Sequence, residues 1–89
     1  MSNSKSVTIE HNLGLHLRAA GALVQLASRY QSQLYIQYGG LTANGKSIMS
    51  VLSLAAPCGA QLEISAKGND ADEAVDSIIE LIRQNFGIE

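Results

Sequence analysis

The sequence has one cysteine, one proline and no tryptophan, and only six basic residues against eight acidic ones. A single cysteine, Cys58, excludes an internal disulfide, so the fold must be held together by its core. The basic residues are scattered singly rather than clustered, which argues against binding to nucleic acid. No apolar run approaches the ~20 residues that a membrane-spanning helix needs, so membrane insertion is not expected.

The length of 89 residues suits one small domain, residues 1–89, with an economical core and no linker. The first residues, MSNSKS, lack the charged and apolar regions of a secretory signal. We therefore expect a cytoplasmic protein that consists of one domain and works as a monomer.

Three stretches alternate apolar and polar residues with the period of a half-buried strand. In the first stretch, Val7 and Ile9 share one face, and Ser6 and Thr8 share the other. Because one face of each strand is apolar and the other polar, the sheet should be covered on one side only. The three stretches are residues 5–11, 33–38 and 61–67.

Helical periodicity replaces this alternation in two longer segments. The first predicts a helix from about Leu17 to Arg29, and the second predicts a last helix that Asp70 caps and that Gly87 ends. Acidic residues follow Asp70, as the positive first turn of a helix favours. The predicted buried stripes are Ala20, Leu23, Val24, Ala27 and Tyr30 in the first helix, and Ala71, Ala74, Val75, Ile78, Ile82 and Phe86 in the last.

Two consecutive glycines, Gly39 and Gly40, predict a two-residue hairpin turn, because glycine tolerates the positive φ angles of such turns. A short strand, Leu41–Asn44, should therefore pair with the strand before it. Together with a short helix after this strand, the predicted order is strand, helix, hairpin, short helix, strand, helix. This order predicts an α+β fold of two layers, an open-faced sandwich in which three helices cover one face of a four-stranded antiparallel sheet.

The stretch NLGLHLRAAG, residues 12–21, places His16 where the first helix begins. Unpaired N–H groups and the helix dipole favour an anion at that position. The same positive end disfavours a protonated imidazole, so the ring should stay neutral and nucleophilic, and Arg18 adds a fixed charge for a phosphate. These features favour reversible phosphorylation of His16, although a histidine beside a turn is more often a solvated residue or a cap.

Three segments carry a close resemblance to a known family: GLHLRAA (14–20), GKSIMSVLSLAAPCG (45–59) and AKGNDADEAVDSIIELI (66–82). They resemble the histidine-containing phosphocarrier (HPr) family of the phosphoenolpyruvate:sugar phosphotransferase system. The resemblance implies that His16 accepts phosphate from enzyme I on Nδ1 and passes it to IIA components, with Arg18 stabilising the phosphate. It implies a transiently phosphorylated carrier without cofactor or metal. Where the family has proline after the arginine, this chain has Ala19, so a slightly less rigid site is expected.

Ser47 opens the short helix predicted between Lys46 and Pro57, where its hydroxyl can act as an N-cap. The resemblance adds a second role, because an HPr kinase/phosphorylase phosphorylates the serine at this position of the family motif. It also implies a docking surface for enzyme I and IIA proteins, while Val51 and Leu54 are expected in the core. The residues assigned to this surface are Leu17, Ile48, Met49 and Leu52.

Two alternative functions remain open at this point. A regulatory member of the family would act mainly through phosphorylation of Ser47. A small hydrolase of the acylphosphatase kind would need an asparagine that orients water, but Asn12 and Asn44 lie in no recognisable motif. His11 is only five residues from His16, yet no third ligand accompanies the pair at a zinc spacing, so a metal site is not expected.

Overall fold

The computed structural model describes residues 2–88, and these residues form four strands, three α-helices and a final 3-10 turn. The element order is the predicted one. The elements are β1 (Ser2–Thr8), α1 (Leu17–Ala27), β2 (Gln33–Tyr38), β3 (Leu41–Asn44), α2 (Ile48–Leu52), β4 (Gln61–Lys67), α3 (Ala71–Arg83) and the 3-10 turn Asn85–Gly87.

All strands pair antiparallel in the order β1-β4-β2-β3. The register sets Ile36 of β2 opposite Ile64 of β4 and Ala43 of β3, which gathers apolar side chains on one face. The helices pack on that face, and the other face carries mostly polar side chains. The predicted α+β sandwich is therefore confirmed.

The β2–β3 hairpin has the predicted form. Gly39 and Gly40 both adopt positive φ angles, of 58° and 84°, so the two-residue turn uses the freedom that only glycine offers cheaply. The bounds of β2 and β4 are those predicted from the alternation, and the bounds of β3 are those predicted from the hairpin turn. The largest fully buried apolar side chains between sheet and helices are Ile9, Leu23, Leu34, Ile36, Val51, Leu62, Ile64, Val75, Ile78 and Ile82.

Both ends of β1 differ from the prediction, and the strand begins at Ser2 rather than Lys5. The strand ends at Thr8 instead of His11, because the chain beyond it bonds to the irregular segment before β4. The Ile9 N–H donates to Ala60 O, and the Ile9 carbonyl accepts from the Gly59 N–H. These two bonds replace the regular pairing of β1 with β4, and the chain then leads to the start of α1.

Each of the three α-helices ends earlier than the sequence pattern predicts. Helix α1 stops at Ala27 rather than Arg29, where the Ser28 hydroxyl donates to the Val24 carbonyl at 2.8 Å and competes with the helix ladder. Val24 and Tyr30, predicted in its buried stripe, are only half-buried. Helix α2 covers five residues of the longer predicted stretch, and Ala55, with a φ of 51°, lies beyond its end.

Helix α3 ends at Arg83, four residues before the predicted stop at Gly87. Asn85 and Phe86 take positive φ angles of 55° and 62°, and a right-handed α-helix cannot continue through such angles. Phe86 is nevertheless buried, and so is the rest of the predicted stripe. Asp70 precedes α3 as predicted, but its carboxylate makes no capping bond to the helix. Within residues 2–88, no helix has both the length and the apolar character needed to cross a membrane.

Candidate functional site

His16 is the N-cap residue of α1. Its backbone is extended, with φ −81° and ψ −178°, and its carbonyl accepts the first helical bond, from the Ala20 N–H at 2.8 Å. The N–H groups of Leu17, Arg18 and Ala19 therefore have no partner inside the helix. The predicted position of the histidine, at the positive end of a helix, is confirmed.

The loop before His16 is held by specific contacts. Gly14 has a φ of 65°, and its N–H donates to the His11 carbonyl at 2.9 Å. A side chain is excluded at this glycine, since a Cβ would lie 2.6 Å from the Ala56 carbonyl oxygen. The next residue, Leu15, donates its N–H to the same oxygen at 2.9 Å. Contacts with segment 56–57 therefore fix the backbone of Gly14 and Leu15, which immediately precede His16.

His16 is half-buried. Its Nε2 is buried and has no hydrogen-bond partner among residues 2–88. Burial, followed by the charges of His11 and Arg18, lowers the pKa of His16 below its usual 6.5. The ring is thus neutral at neutral pH. With Nε2 enclosed, Nδ1 is the nitrogen that another protein can approach without moving the ring.

His11 lies against His16, a contact that the sequence reading missed. The ring centroids are 4.9 Å apart and the ring planes are tilted by 46°. His11 is only 8% exposed, and its Nδ1 accepts a hydrogen bond from the Leu13 N–H at 3.1 Å. One signal of this contact is present in the sequence, namely the spacing of five residues between the two histidines with a glycine between them, but that spacing suggests metal ligation rather than ring packing.

Arg18 is the second residue of α1, and its side chain is exposed. Within residues 2–88, the Arg18 guanidinium forms no ion pair, because the ion pair found there joins Lys5 to Asp76. Its N–H donors are therefore free to bind a phosphate. Ala19 follows Arg18 and is buried. Because the Ala19 N–H precedes the first helical bond, a proline at this position would remove no bond of the helix.

Ser47 is the N-cap of α2, as predicted, and is half-buried. Its Oγ accepts a hydrogen bond from the Ser50 N–H at 3.3 Å. The Nζ of the neighbouring Lys46 donates to the Tyr30 carbonyl at 2.7 Å and not to this hydroxyl.

Exposed apolar side chains lie on α1 and α2, which pack against each other. Met49 is 77%, Leu17 64% and Ile48 39% exposed. Leu52 is half-buried and packs against the core, so it can contribute only part of its side chain to a surface. Val51 and Leu54 are buried, as predicted. Leu13, 69% exposed in the loop before His16, was not anticipated.

A two-layer α+β domain that sets a partly exposed histidine at a helix N-terminus, beside a free arginine and exposed apolar side chains, has the architecture of a small carrier domain. Comparison with known proteins supports this assignment. Residues 3–84 match the family model PTS-HPr, described as the PTS HPr component phosphorylation site, and the chain belongs to this family. It is a phosphocarrier protein of the phosphotransferase system rather than a true catalyst.

Individual relatives are similar over nearly the whole chain. Phosphocarrier protein HPr of Cupriavidus necator is 40% identical over 83 residues, which cover 93% of each chain. The corresponding protein of Treponema pallidum is 37% identical over 82 residues, covering 92% of this chain and 93% of its own. The crystal structure of an HPr from Thermoanaerobacter tengcongensis superposes with a TM-score of 0.92 at 36% identity and covers 98% of both chains.

Proposed function

We propose that His16 accepts a phosphoryl group on Nδ1 from phosphorylated enzyme I and passes it to IIA proteins in the cytoplasm, with the chain acting as a monomer. In the first step, Nδ1 forms a bond to phosphorus while the bond between enzyme I and the same phosphorus breaks. In the second step, the bond from Nδ1 to phosphorus breaks while an acceptor atom of the IIA protein forms one. The observation that carries this proposal is the enclosed Nε2 of His16, which leaves Nδ1 as the accessible nucleophile.

The surroundings of His16 supply what such a transfer needs. A lowered pKa keeps the ring neutral, and a neutral ring retains a lone pair for attack on phosphorus. A phosphate on Nδ1 would find the free N–H groups of the first turn of α1 and the positive end of the helix dipole. Arg18, free of other ion pairs within residues 2–88, adds a charged donor fork for the phosphate oxygens.

The exposed side chains of Leu17, Ile48 and Met49 form the proposed docking surface for enzyme I and IIA proteins, with Leu52 at its partly buried edge. Apolar side chains next to a reactive group let a partner exclude water from the transfer, and methionine adapts its shape to more than one partner. This surface serves enzyme I and IIA proteins alike, because the histidine exchanges phosphate with both.

Ser47 is the proposed regulatory position, phosphorylated by an HPr kinase/phosphorylase. A phosphate on its hydroxyl would stand immediately before Ile48 and Met49 and add nearly two negative charges to the docking surface. The alternative within the same family is a protein that acts mainly through this serine. The hydrolase alternative loses support, since the Asn44 side chain is committed to the Lys46 N–H at 2.9 Å and the relatives are phosphocarriers.

The two sites are distinguished by the stability of their phosphates. A phosphohistidine is hydrolysed in acid, whereas a phosphoserine survives it. Incubation with phosphoenolpyruvate and enzyme I should give an acid-labile label, and incubation with ATP and the kinase should give an acid-stable one. A chain that takes only the acid-stable label acts through Ser47, and a chain that takes neither contradicts the proposal.

A further inference from the structure

His11 is a buried polar residue, and the packing of the apolar core does not explain why a histidine is buried at this position. Among residues 2–88, the buried polar side chains are His11 and Ser32. Ser32 bonds through both its N–H and its hydroxyl to Asp70. His11 is anchored as well, because its Nδ1 accepts from the Leu13 N–H and its carbonyl accepts from the Gly14 N–H. One hydrogen bond to the ring and one to the backbone of the same residue hold His11 in place, so its ring is a firm support for a side chain that packs on it.

The group that packs on it is the imidazole of His16. The centroid separation of 4.9 Å and the tilt of 46° lie within the range of aromatic ring contacts. The same imidazole has its Nε2 enclosed without a hydrogen-bond partner among the described residues. No hydrogen bond therefore fixes the orientation of the His16 ring through this nitrogen, and packing must do so instead.

We propose that His11 is a positioning residue, whose anchored ring holds the His16 imidazole with Nε2 turned inward and Nδ1 presented to a phosphoryl donor. The inference rests on the proposed transfer at His16, which gives this orientation its purpose. A ring that rotates freely would offer either nitrogen and would meet the donor less often in the productive geometry.

The contact has an electrostatic consequence as well. His11 and Arg18 are the charged or titratable groups that act on His16, and both disfavour a proton on it. Glu10, beside His11 in the chain, lines the same groove as His11, together with Asn85. The ring of His11 also contributes to the burial that lowers the pKa of His16, so losing the ring should raise that pKa more than losing only its charge.

Two substitutions at position 11 separate the contribution of the ring from the contribution of the hydrogen bond that anchors it. His11→Asn keeps an acceptor for the Leu13 N–H, as an Asx turn does, but removes the ring. His11→Phe keeps a ring against His16 but removes both the charge and the acceptor for the Leu13 N–H, so that packing alone holds its ring. The pKa of His16, followed by NMR on the whole chain without any partner, should rise in His11→Phe and rise further in His11→Asn. Phosphorylation by enzyme I should slow about tenfold in His11→Asn and stay within about threefold of wild type in His11→Phe.

Melting curves identify a variant that fails to fold. If His11→Phe does not fold, the His16 titration in His11→Asn decides alone. An unchanged pKa and an unchanged rate in His11→Asn would overturn the proposal, and so would equal slowing in both variants. A wild-type chain that takes no phosphate from enzyme I contradicts only the proposed function, because the NMR titration still tests whether the two rings are coupled.

Discussion

The carboxylate of Asp70 accepts three hydrogen bonds from the turn before β2, and two of them come from Ser32, 38 residues earlier in the chain. The Ser32 N–H donates to Oδ1 at 2.8 Å and the Ser32 hydroxyl at 2.5 Å. The Gln31 N–H donates to Oδ2 at 2.9 Å. One side chain thus ties the turn before β2 to the start of α3.

These bonds predict a pH dependence of folding. The bond from the Ser32 hydroxyl, followed by the bond from the Gln31 N–H, lowers the pKa of Asp70 from 3.8 to about 2. A lowered folded-state pKa means that the stabilisation is fully present above pH 3.8 and is lost as the pH falls towards 2.

Asp70→Asn should therefore lower the melting temperature at neutral pH by several degrees. Below pH 3.8 the difference between wild type and variant should shrink, because protonated Asp70 accepts more weakly. Thermal melts of both proteins across this pH range test the prediction. Parallel curves that never converge in acid would contradict the assigned role of the carboxylate.

Arg18→Ala is expected to slow phosphorylation of His16 and to leave folding nearly unchanged. The side chain is exposed and has no ion pair within residues 2–88, so the free energy of unfolding should change by no more than about 0.5 kcal/mol. Arg18→Lys keeps the charge without the planar fork and should recover part of the rate. A large fall in melting temperature with normal transfer would show a structural role instead.

Met49→Ala tests the docking surface. With 77% of the residue exposed, the substitution should not affect folding, but enzyme I binding should weaken about fivefold if the side chain is buried by the partner. Leu41→Ala is the matched control, because Leu41 is 55% exposed and begins β3 at the end away from α2. Equal losses in both variants, or none in either, would place the docking surface elsewhere.

Ser47→Asp should weaken enzyme I binding and slow phosphorylation of His16 about tenfold, since a partner must desolvate the new charge beside Ile48 and Met49. The melting temperature should stay equal or rise slightly, because the negative charge stands at the start of α2. Ser47→Ala is the control. It removes the acceptor for the Ser50 N–H and costs about 1 kcal/mol, but it should leave binding intact. Equal affinity in all three proteins would leave Ser47 as a helix cap alone.

The sequence was most informative where one local pattern decides the structure. The bounds of β2 and β4 follow from alternation alone, and the hairpin with β3 follows from two adjacent glycines. Element ends were wrong where a distant or backbone contact decides them. Ile9 leaves the sheet because it bonds to the segment before β4, and α3 ends where Asn85 and Phe86 take positive φ angles.

The candidate site was predictable in part for the same reason. The N-cap positions of His16 and Ser47 are visible in the sequence, since caps depend on a few neighbouring residues. Enclosure of the His16 Nε2 and its contact with His11 depend on how the loop folds over segment 56–57, which no local pattern encodes. The local sequence predicts that Asp70 caps α3, but its hydrogen-bond partners lie 38 and 39 residues away, where a local pattern cannot indicate them.

The central claim, that His16 carries the phosphoryl group, is tested most directly by intact-mass measurement at alkaline pH after incubation with phosphoenolpyruvate and enzyme I. Wild type should gain the mass of one phosphoryl group. His16→Ala should gain none while it melts close to wild type, because the half-buried ring donates no hydrogen bond through Nε2 that the fold would lose. A folded His16→Ala protein that still gains a phosphoryl group would contradict the account.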